Sequence, residues 1–157
     1  MADNYTQYCE ELKGLTLEQH AWLDGLVALL DPADRDEGRE EELAYAPYLA
    51  VIDEATEDGE RIGYGSWAEV QEDGSYTWCF EDDGCGDIDV VLYLVQSLFK
   101  HFNLDRTWTL TWAATCSKAR PGQFGGGVAV VSRDKLATES TWERGVALAL
   151  QLKGESK

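Results

Sequence analysis

The sequence predicts an α+β fold, in which an antiparallel sheet built from hairpins carries helices mainly on one face. Two amphipathic helical patterns, over about 16–30 and 88–102, lie between stretches where apolar and polar side chains alternate. The alternating stretches come in closely spaced pairs, which is typical of hairpins. A doubly wound parallel sheet would instead require strict alternation of strands and helices. The predicted order of elements is α-β-ββ-α-ββ-α.

The first predicted helix begins at a capping box, in which Thr16 and Gln19 each satisfy a free backbone N–H. Apolar side chains then recur at helical spacing: Trp22, Leu23, Leu26, Val27 and Leu30. Pro32 ends the helix because proline cannot continue the hydrogen-bond ladder. Residues 1–14 show no clear period and are interpreted as a loose arm.

The middle of the chain is predicted to form a solvated acidic segment followed by three strands. Residues 31–42 are dominated by acidic side chains and must be hydrated. Residues 48–52 have the composition of a buried strand. Residues 64–70 and 76–80 flank an Asp-Gly turn at Asp73, which predicts a hairpin.

The second half begins with the helix over about 88–102, which has apolar residues at every i, i+3, i+4 and i+7 position. A second hairpin is predicted at 108–131, where Trp108 to Ala114 alternate with threonines before a valine-rich strand. A capping box at Ser140 and Glu143 then begins the last helix. Residues 154–157 form a tail.

Length and composition predict one domain over 1–157 that buries a single core, since 44% of the 157 residues are hydrophobic. The amino terminus lacks the basic-then-apolar pattern of a signal peptide. The longest apolar run, 90–95, is far too short to span a bilayer. These observations predict a cytoplasmic protein with no membrane association.

The net charge of −17 is unevenly distributed. Residues 1–89 carry 25 acidic and 4 basic side chains, whereas residues 90–157 carry 5 acidic and 9 basic ones. Such asymmetry predicts an acidic surface that binds a basic protein partner. The candidate partner-binding residues are Glu40, Glu41, Glu42, Asp82, Asp83 and Asp87. Direct binding of nucleic acid is disfavoured because phosphates would be repelled.

A second candidate site is the glycine-rich connection inside the second predicted hairpin. Its hydroxyls, cations and unshielded backbone amides could hold an anion. The candidate residues are Cys116, Ser117, Lys118, Arg120, Gly125 and Gly126. However, phosphate-binding glycine loops lead into a helix, whereas this one leads into a strand, so a structural hairpin with a glycine bulge is the alternative.

No catalytic residue, metal site or cofactor is predicted. The four cysteines lack Cys-x-x-Cys spacing and are interpreted as free thiols. A zinc site formed by Cys79, Cys85 and Cys116 with His101 matches no familiar ligand spacing. His20 falls on the polar face of the first helix, and His101 complements the negative end of the second.

The segment Thr-Cys-Ser-Lys-x-Arg-x-Gly-x-Phe-Gly-Gly-Gly, with its flanking strands over about 108–133, resembles a pattern in small uncharacterised proteins of bacteria, phages and plasmids. The resemblance implies a bacterial or mobile-element setting and carries no activity with it. In that setting, a strongly acidic protein is expected to act as a nucleic-acid mimic that inhibits a host defence protein, such as a restriction or CRISPR effector. The alternative is a small enzyme or anionic-ligand-binding domain that uses 116–127. The partner's identity and the oligomeric state do not follow from the sequence.

Overall fold

The computed structural model describes residues 4–30, 40–55, 65–82, 84, 87–118 and 124–154. Within these residues the chain forms six strands and four helices. In chain order they are β1 (Asn4–Leu15), α1 (Leu17–Ala28), α2 (Glu40–Ala55), β2 (Gly65–Val70), β3 (Tyr76–Asp82), α3 (Ile88–His101), β4 (Thr107–Cys116), β5 (Gly125–Ser132), β6 (Leu136–Ser140) and α4 (Thr141–Gly154).

The six strands form one sheet in the order β2-β3-β1-β4-β5-β6. Every neighbouring pair of strands is antiparallel. The predicted α+β class and the two predicted hairpins, β2–β3 and β4–β5, are therefore confirmed. The first strand joins the two halves of the sheet, since β1 pairs with β3 on one side and with β4 on the other.

The interpretation of residues 1–14 as a loose arm was wrong for the part described, because Asn4–Leu15 is a central strand. Three of its side chains are buried: Tyr8, Leu12 and Leu15. Pairing on both edges supplies the backbone hydrogen bonds of this strand, although its irregular, polar sequence shows no strand pattern. Strand formation here is decided by tertiary pairing and not by local pattern.

The strand predicted at 48–52 was also wrong, because this segment lies inside helix α2. Leu49 and Ile52 are one helical turn apart, and both are buried. The helix packs against α3. It continues through Pro47, although an internal proline removes one backbone hydrogen bond.

Helices α1 and α3 pack on one face of the sheet, here called the inner face, as predicted. That face carries Leu12, Trp78, Phe80, Trp108, Leu110, Ala129 and Val131, which share a single core cluster with α1 and α3. In α3 the residues from Val90 to Phe99, apart from Tyr93, are buried. The predicted alternation in β4 is confirmed, since Trp108 and Leu110 are buried while Thr107, Thr109 and Thr111 are exposed.

The carboxyl-terminal part contains one strand that the sequence did not predict, followed by the predicted last helix. The unpredicted strand is β6, which pairs with β5 at the edge of the sheet. The capping box at the start of α4 is confirmed, because the Glu143 carboxylate accepts from the Ser140 backbone N–H at 2.8 Å. Helix α4 is exposed along the part whose side chains are described, and Trp142 keeps 76% of its surface in solvent.

Candidate functional site

The face of the sheet opposite α1 and α3, here called the outer face, carries much of the polar surface. Side chains alternate along a strand, and directly paired residues share a face. Because Trp78 and Phe80 point into the core, Cys79 and Glu81 point outward. Their partners in the register extend this face across the sheet: Trp67, Cys9 and Glu11 toward β2 and β1, with Thr107, Thr109, Thr111, Val128, Val130 and Glu139 on the far half.

A compact cluster of metal-ligand atoms lies on the outer face where β1 meets β3. Cys9 lies opposite Glu81 in the register, and Cys79 lies opposite Glu11. The Cys9 and Cys79 sulfur atoms are 3.8 Å apart. The two sulfurs and a Glu81 carboxylate oxygen all lie within 4.8 Å of one another. Cys9, Cys79 and Glu81 are referred to below as the sulfur–carboxylate cluster.

The members of this cluster differ in their access to solvent. Cys79 is 1% exposed, whereas Cys9 and Glu81 are exposed. Burial raises the pKa of the Cys79 thiol to about 12, with a further contribution from its hydrogen bond with Cys9 and from the negative charges of Glu81 and Glu11. The buried thiol is therefore protonated at neutral pH as long as no cation stands beside it.

The structure does not bring together the described members of the zinc set considered from the sequence. Cys79 faces outward, whereas α3, which ends at His101, packs on the opposite face of the sheet. Cys116 alternates with Trp112 and Ala114 and so follows the inner face of β4. Cys85 lies outside the described residues. Cys9 was not placed beside Cys79 from the sequence, because the two residues are 70 positions apart and no local spacing pattern joins them.

The predicted partner-binding acids are divided between separate elements. Asp82 accepts from the Gly84 backbone N–H at 2.6 Å. Asp87 is the N-cap of α3 and accepts from the Asp89 and Val90 backbone N–H groups. These two carboxylates therefore bind backbone N–H groups, Asp82 at the end of β3 and Asp87 at the start of α3. Glu40, Glu41 and Glu42 form the first turn of α2, and their side chains, like all of Asp83, lie outside the description.

None of the Asp and Glu side chains in the described part of the chain is buried, since its buried polar residues are Thr77, Gln96 and Ser97. Some carboxylates are paired with cations, as in Lys13–Glu11 at 2.6 Å and Arg133–Asp134 at 3.0 Å. Thirteen basic side chains cannot neutralise thirty acidic ones. A strong negative field therefore surrounds the molecule.

The predicted anion loop is shorter than the sequence suggested. Cys116 ends β4, and Ser117 and Lys118 follow it at the surface. Arg120 lies outside the described residues. Gly125 and Gly126 belong to strand β5 and pair with Ala114 and Ala113.

The glycines of β5 have a packing role at Trp112. A Cβ atom on Gly126 would lie 2.2 Å from the Trp112 carbonyl oxygen, and Gly126 has a φ of +143°. A Cβ atom on Gly127 would lie 2.3 Å from the Trp112 ring. Glycine is needed at both positions for close approach of the two strands. This agrees with the hairpin alternative, but the register from Thr107 to Ala114 is continuous, so the expected glycine bulge is not present in the paired part of β4 and β5.

The two histidines are held by aromatic packing. The ring of His101 stacks on Trp22 with 4.5 Å between centroids, and its Nδ1 lies 3.1 Å from the Tyr48 hydroxyl. The ring of His20 lies 4.7 Å from Tyr76 and is only partly exposed. His20 is therefore less solvated than its place on the polar face of α1 suggested.

A groove of about 560 Å³ lies beside the β2–β3 turn. It is lined by Lys13, Gly14, Gln71, Glu72, Asp73, Ser75 and Thr77. Hydrogen bonds from the Ser75 hydroxyl and backbone N–H lower the pKa of Asp73. Asp73 is therefore an ordering element of the turn.

Comparison with protein-family models, with curated proteins and with solved structures finds no match to the chain. In the part of the chain that the structure describes, no helix combines the length and apolar character needed to cross a bilayer. Functional inference therefore depends on the surface and the sulfur–carboxylate cluster.

Proposed function

We propose that this protein is a non-enzymatic acidic binding protein that acts in the cytoplasm on a basic partner. In its specific form the proposal is a phage- or plasmid-encoded nucleic-acid mimic that inhibits a host defence protein of the restriction or CRISPR type. The observation that carries the proposal is that no described carboxylate is buried on a chain with a net charge of −17.

Exposed carboxylates suit this role for electrostatic reasons. A nucleic-acid-binding groove is lined by lysine and arginine and gains affinity when phosphate displaces its counterions. Carboxylates on the strands, such as Glu11, Glu69 and Glu81, present negative charge at the spacing of the sheet, about 4.8 Å across strands and about 7 Å between same-face positions of one strand. Glu40, Glu41 and Glu42 add charge from the first turn of α2. Such a surface steers association and competes for the same cations.

The direct test is displacement of duplex DNA from purified restriction endonucleases and CRISPR effectors. The protein should release the DNA, and release should weaken steeply between about 50 and 200 mM salt. The protein alone should not retard duplex DNA on a gel. The proposal would be rejected if the protein displaced DNA from none of the effectors and also captured no basic protein from bacterial lysate in a salt-sensitive way.

Charge-reversal variants distinguish the effect of a local binding site on association from the effect of the total negative charge. Replacing Glu40, Glu41 and Glu42 by lysine should slow association with the captured effector and flatten its salt dependence. The matched control reverses Asp105, Asp134 and Glu139, three exposed acids from the second half of the chain. Equal effects of the two triples would mean that total charge acts without a localised site. Unchanged association of the first triple at low salt would exclude the start of α2 from the interface.

A further inference from the structure

The separation of the two sulfur atoms in the sulfur–carboxylate cluster is informative. At 3.8 Å it is far longer than a disulfide bond, which is about 2.05 Å. Two thiolates on one tetrahedral zinc ion, each with a Zn–S bond of about 2.3 Å, lie about 3.8 Å apart. The strands β1 and β3 thus hold the sulfurs at the distance that one zinc ion requires.

The third donor comes from the strand position facing Cys9. Glu81 is directly opposite Cys9, and its carboxylate oxygen lies within 4.8 Å of both sulfurs. A tetrahedral zinc ion with a Zn–O bond of about 2.1 Å needs S···O separations of about 3.6 Å. Glu81 is exposed, so rotation of its side chain can close the remaining gap, which is at most about 1.2 Å, without moving the backbone.

We propose that Cys9, Cys79 and Glu81 bind one Zn²⁺ ion on the outer face of the sheet. Two thiolates with a carboxylate favour zinc over Mg²⁺ or Ca²⁺, which prefer sets of oxygen ligands. The ion can enter from solvent past Cys9 and Glu81, which are exposed, while the buried Cys79 lies on the side of the site away from solvent. Glu11, opposite Cys79, adds negative charge beside the ion.

Counted over the described residues, the proposed site has three protein ligands and one open position. Structural zinc sites are closed by four protein ligands, whereas three ligands leave a place for water or an incoming group. Glu11 is paired with Lys13 at 2.6 Å and is not counted as a ligand, so the fourth position is open to solvent or to a donor from outside the described residues. A donor from a bound partner would take the same position.

The sheet geometry disfavours the alternative, a disulfide between the two cysteines. Cys9 and Cys79 are diagonal neighbours in the register, since Cys9 pairs with Glu81 and Cys79 with Glu11. Diagonal positions have Cα atoms about 7–8 Å apart. Disulfides usually join Cα atoms about 4.4–6.8 Å apart. Oxidation would therefore have to distort two paired strands, whereas zinc binding would not.

The test titrates the full chain, purified with reductant and stripped by a chelator, with Zn²⁺ and then with Co²⁺. We expect one Zn²⁺ per chain and the thiolate charge-transfer absorption of tetrahedral Co²⁺. Cys9→Ser should weaken Zn²⁺ binding by more than about 100-fold, and Glu81→Gln by at least about tenfold. Cys9 is exposed, so its serine variant should keep the thermal stability of the metal-free parent.

Matched controls are Cys116→Ser and Glu139→Gln, which change the same residue types outside the cluster. Both should bind Zn²⁺ like the parent. Three results would overturn the proposal: less than half an equivalent of bound Zn²⁺, equal affinity in the parent and Cys9→Ser, or equal losses in the controls. Recovery of a Cys9–Cys79 disulfide from protein kept in reductant, seen as a mass lower by two hydrogens, would also overturn it.

Discussion

The indole N–H of Trp108 on β4 donates a hydrogen bond to the backbone carbonyl of Glu11 on β1, with 3.0 Å between the nitrogen and the oxygen. The Trp108 ring also meets Phe80 of β3 edge-on, at 5.6 Å between centroids. One side chain thereby links the three central strands of the sheet. It does so from the inner face, where only 6% of Trp108 is exposed.

Replacing Trp108 by phenylalanine should lower the free energy of unfolding by about 1–3 kcal/mol, because it removes the buried donor and leaves a smaller ring. Urea denaturation followed by circular dichroism measures the loss. The control is Trp142→Phe, since Trp142 is 76% exposed on α4. It should change stability by less than about 0.5 kcal/mol. Equal losses at the two positions would contradict the role given to the Trp108 hydrogen bond.

Leu98→Ala tests the packing of α3 against the sheet. Leu98 is 0% exposed, so truncation leaves a cavity and should cost about 2–5 kcal/mol. Leu152→Ala on α4 is the matched control, because Leu152 is 66% exposed and should lose little. Chemical denaturation of both variants decides the point. A loss below about 0.5 kcal/mol for Leu98→Ala would place its side chain outside the core.

Gly126→Ala tests why glycine stands at the start of β5. The new Cβ would meet the Trp112 carbonyl oxygen, and the φ of +143° is unfavourable for alanine, so we expect a loss of about 1–3 kcal/mol. Gly145→Ala on α4 has open space around it and should be neutral or stabilising. Thermal unfolding measures both.

Lys118→Ala tests the anion-binding alternative for the same segment. Lys118 is exposed just beyond β4, so its removal should leave thermal stability unchanged. Phosphate and a panel of nucleotides should shift the unfolding temperature of neither the parent nor this variant. A ligand-dependent rise in the parent that Lys118→Ala abolishes would support the anion site instead.

The start of α4 should respond to acid through Glu143. Hydrogen bonds from the Ser140 backbone N–H and hydroxyl lower the pKa of Glu143. A carboxyl group whose pKa is lower in the folded state stabilises that state at any pH above its unfolded pKa, about 4.3, and this contribution is lost as pH falls through the folded value. Amide signals of the first turn of α4 should therefore move as the pH falls below that unfolded value.

Glu143→Gln is the control for this titration. Glutamine can accept the same hydrogen bonds, but its side chain does not titrate. The amide signals of its first turn should be flat over the pH range in which the parent titrates. A titration of the same amplitude in Glu143→Gln would assign the acid response to another group.

The local sequence pattern correctly predicted the helices and strands that carry a continuous apolar face. The apolar period of α3 and the alternation from Trp108 to Ala114 are carried by many residues, so both were recognised. Residues 48–52 have the aromatic and β-branched content of a strand, yet Leu49 and Ile52 are also spaced for one helix face. In so short an apolar run the two periods are indistinguishable.

Pairing information was missing where the sequence analysis overlooked a strand. Strand β1 has few apolar residues, and β6 has one large one, Leu136. Both are strands because neighbours supply hydrogen bonds. The sulfur–carboxylate cluster depends on the same information, since Cys9 and Cys79 meet only through the β1–β3 register. The acidic character of the surface, in contrast, follows from composition alone.

The central position of β1 has a consequence for the time course of synthesis. Glu11 is made 97 residues before Trp108, and β1 has paired neighbours on both sides only after β4 has been translated. At about 5–20 residues per second, a ribosome needs roughly 5–20 s to make that intervening stretch. Throughout that interval at least one edge of the nascent strand is unpaired, and the negative charges of Glu10 and Glu11 disfavour its pairing with the same strand of a neighbouring copy.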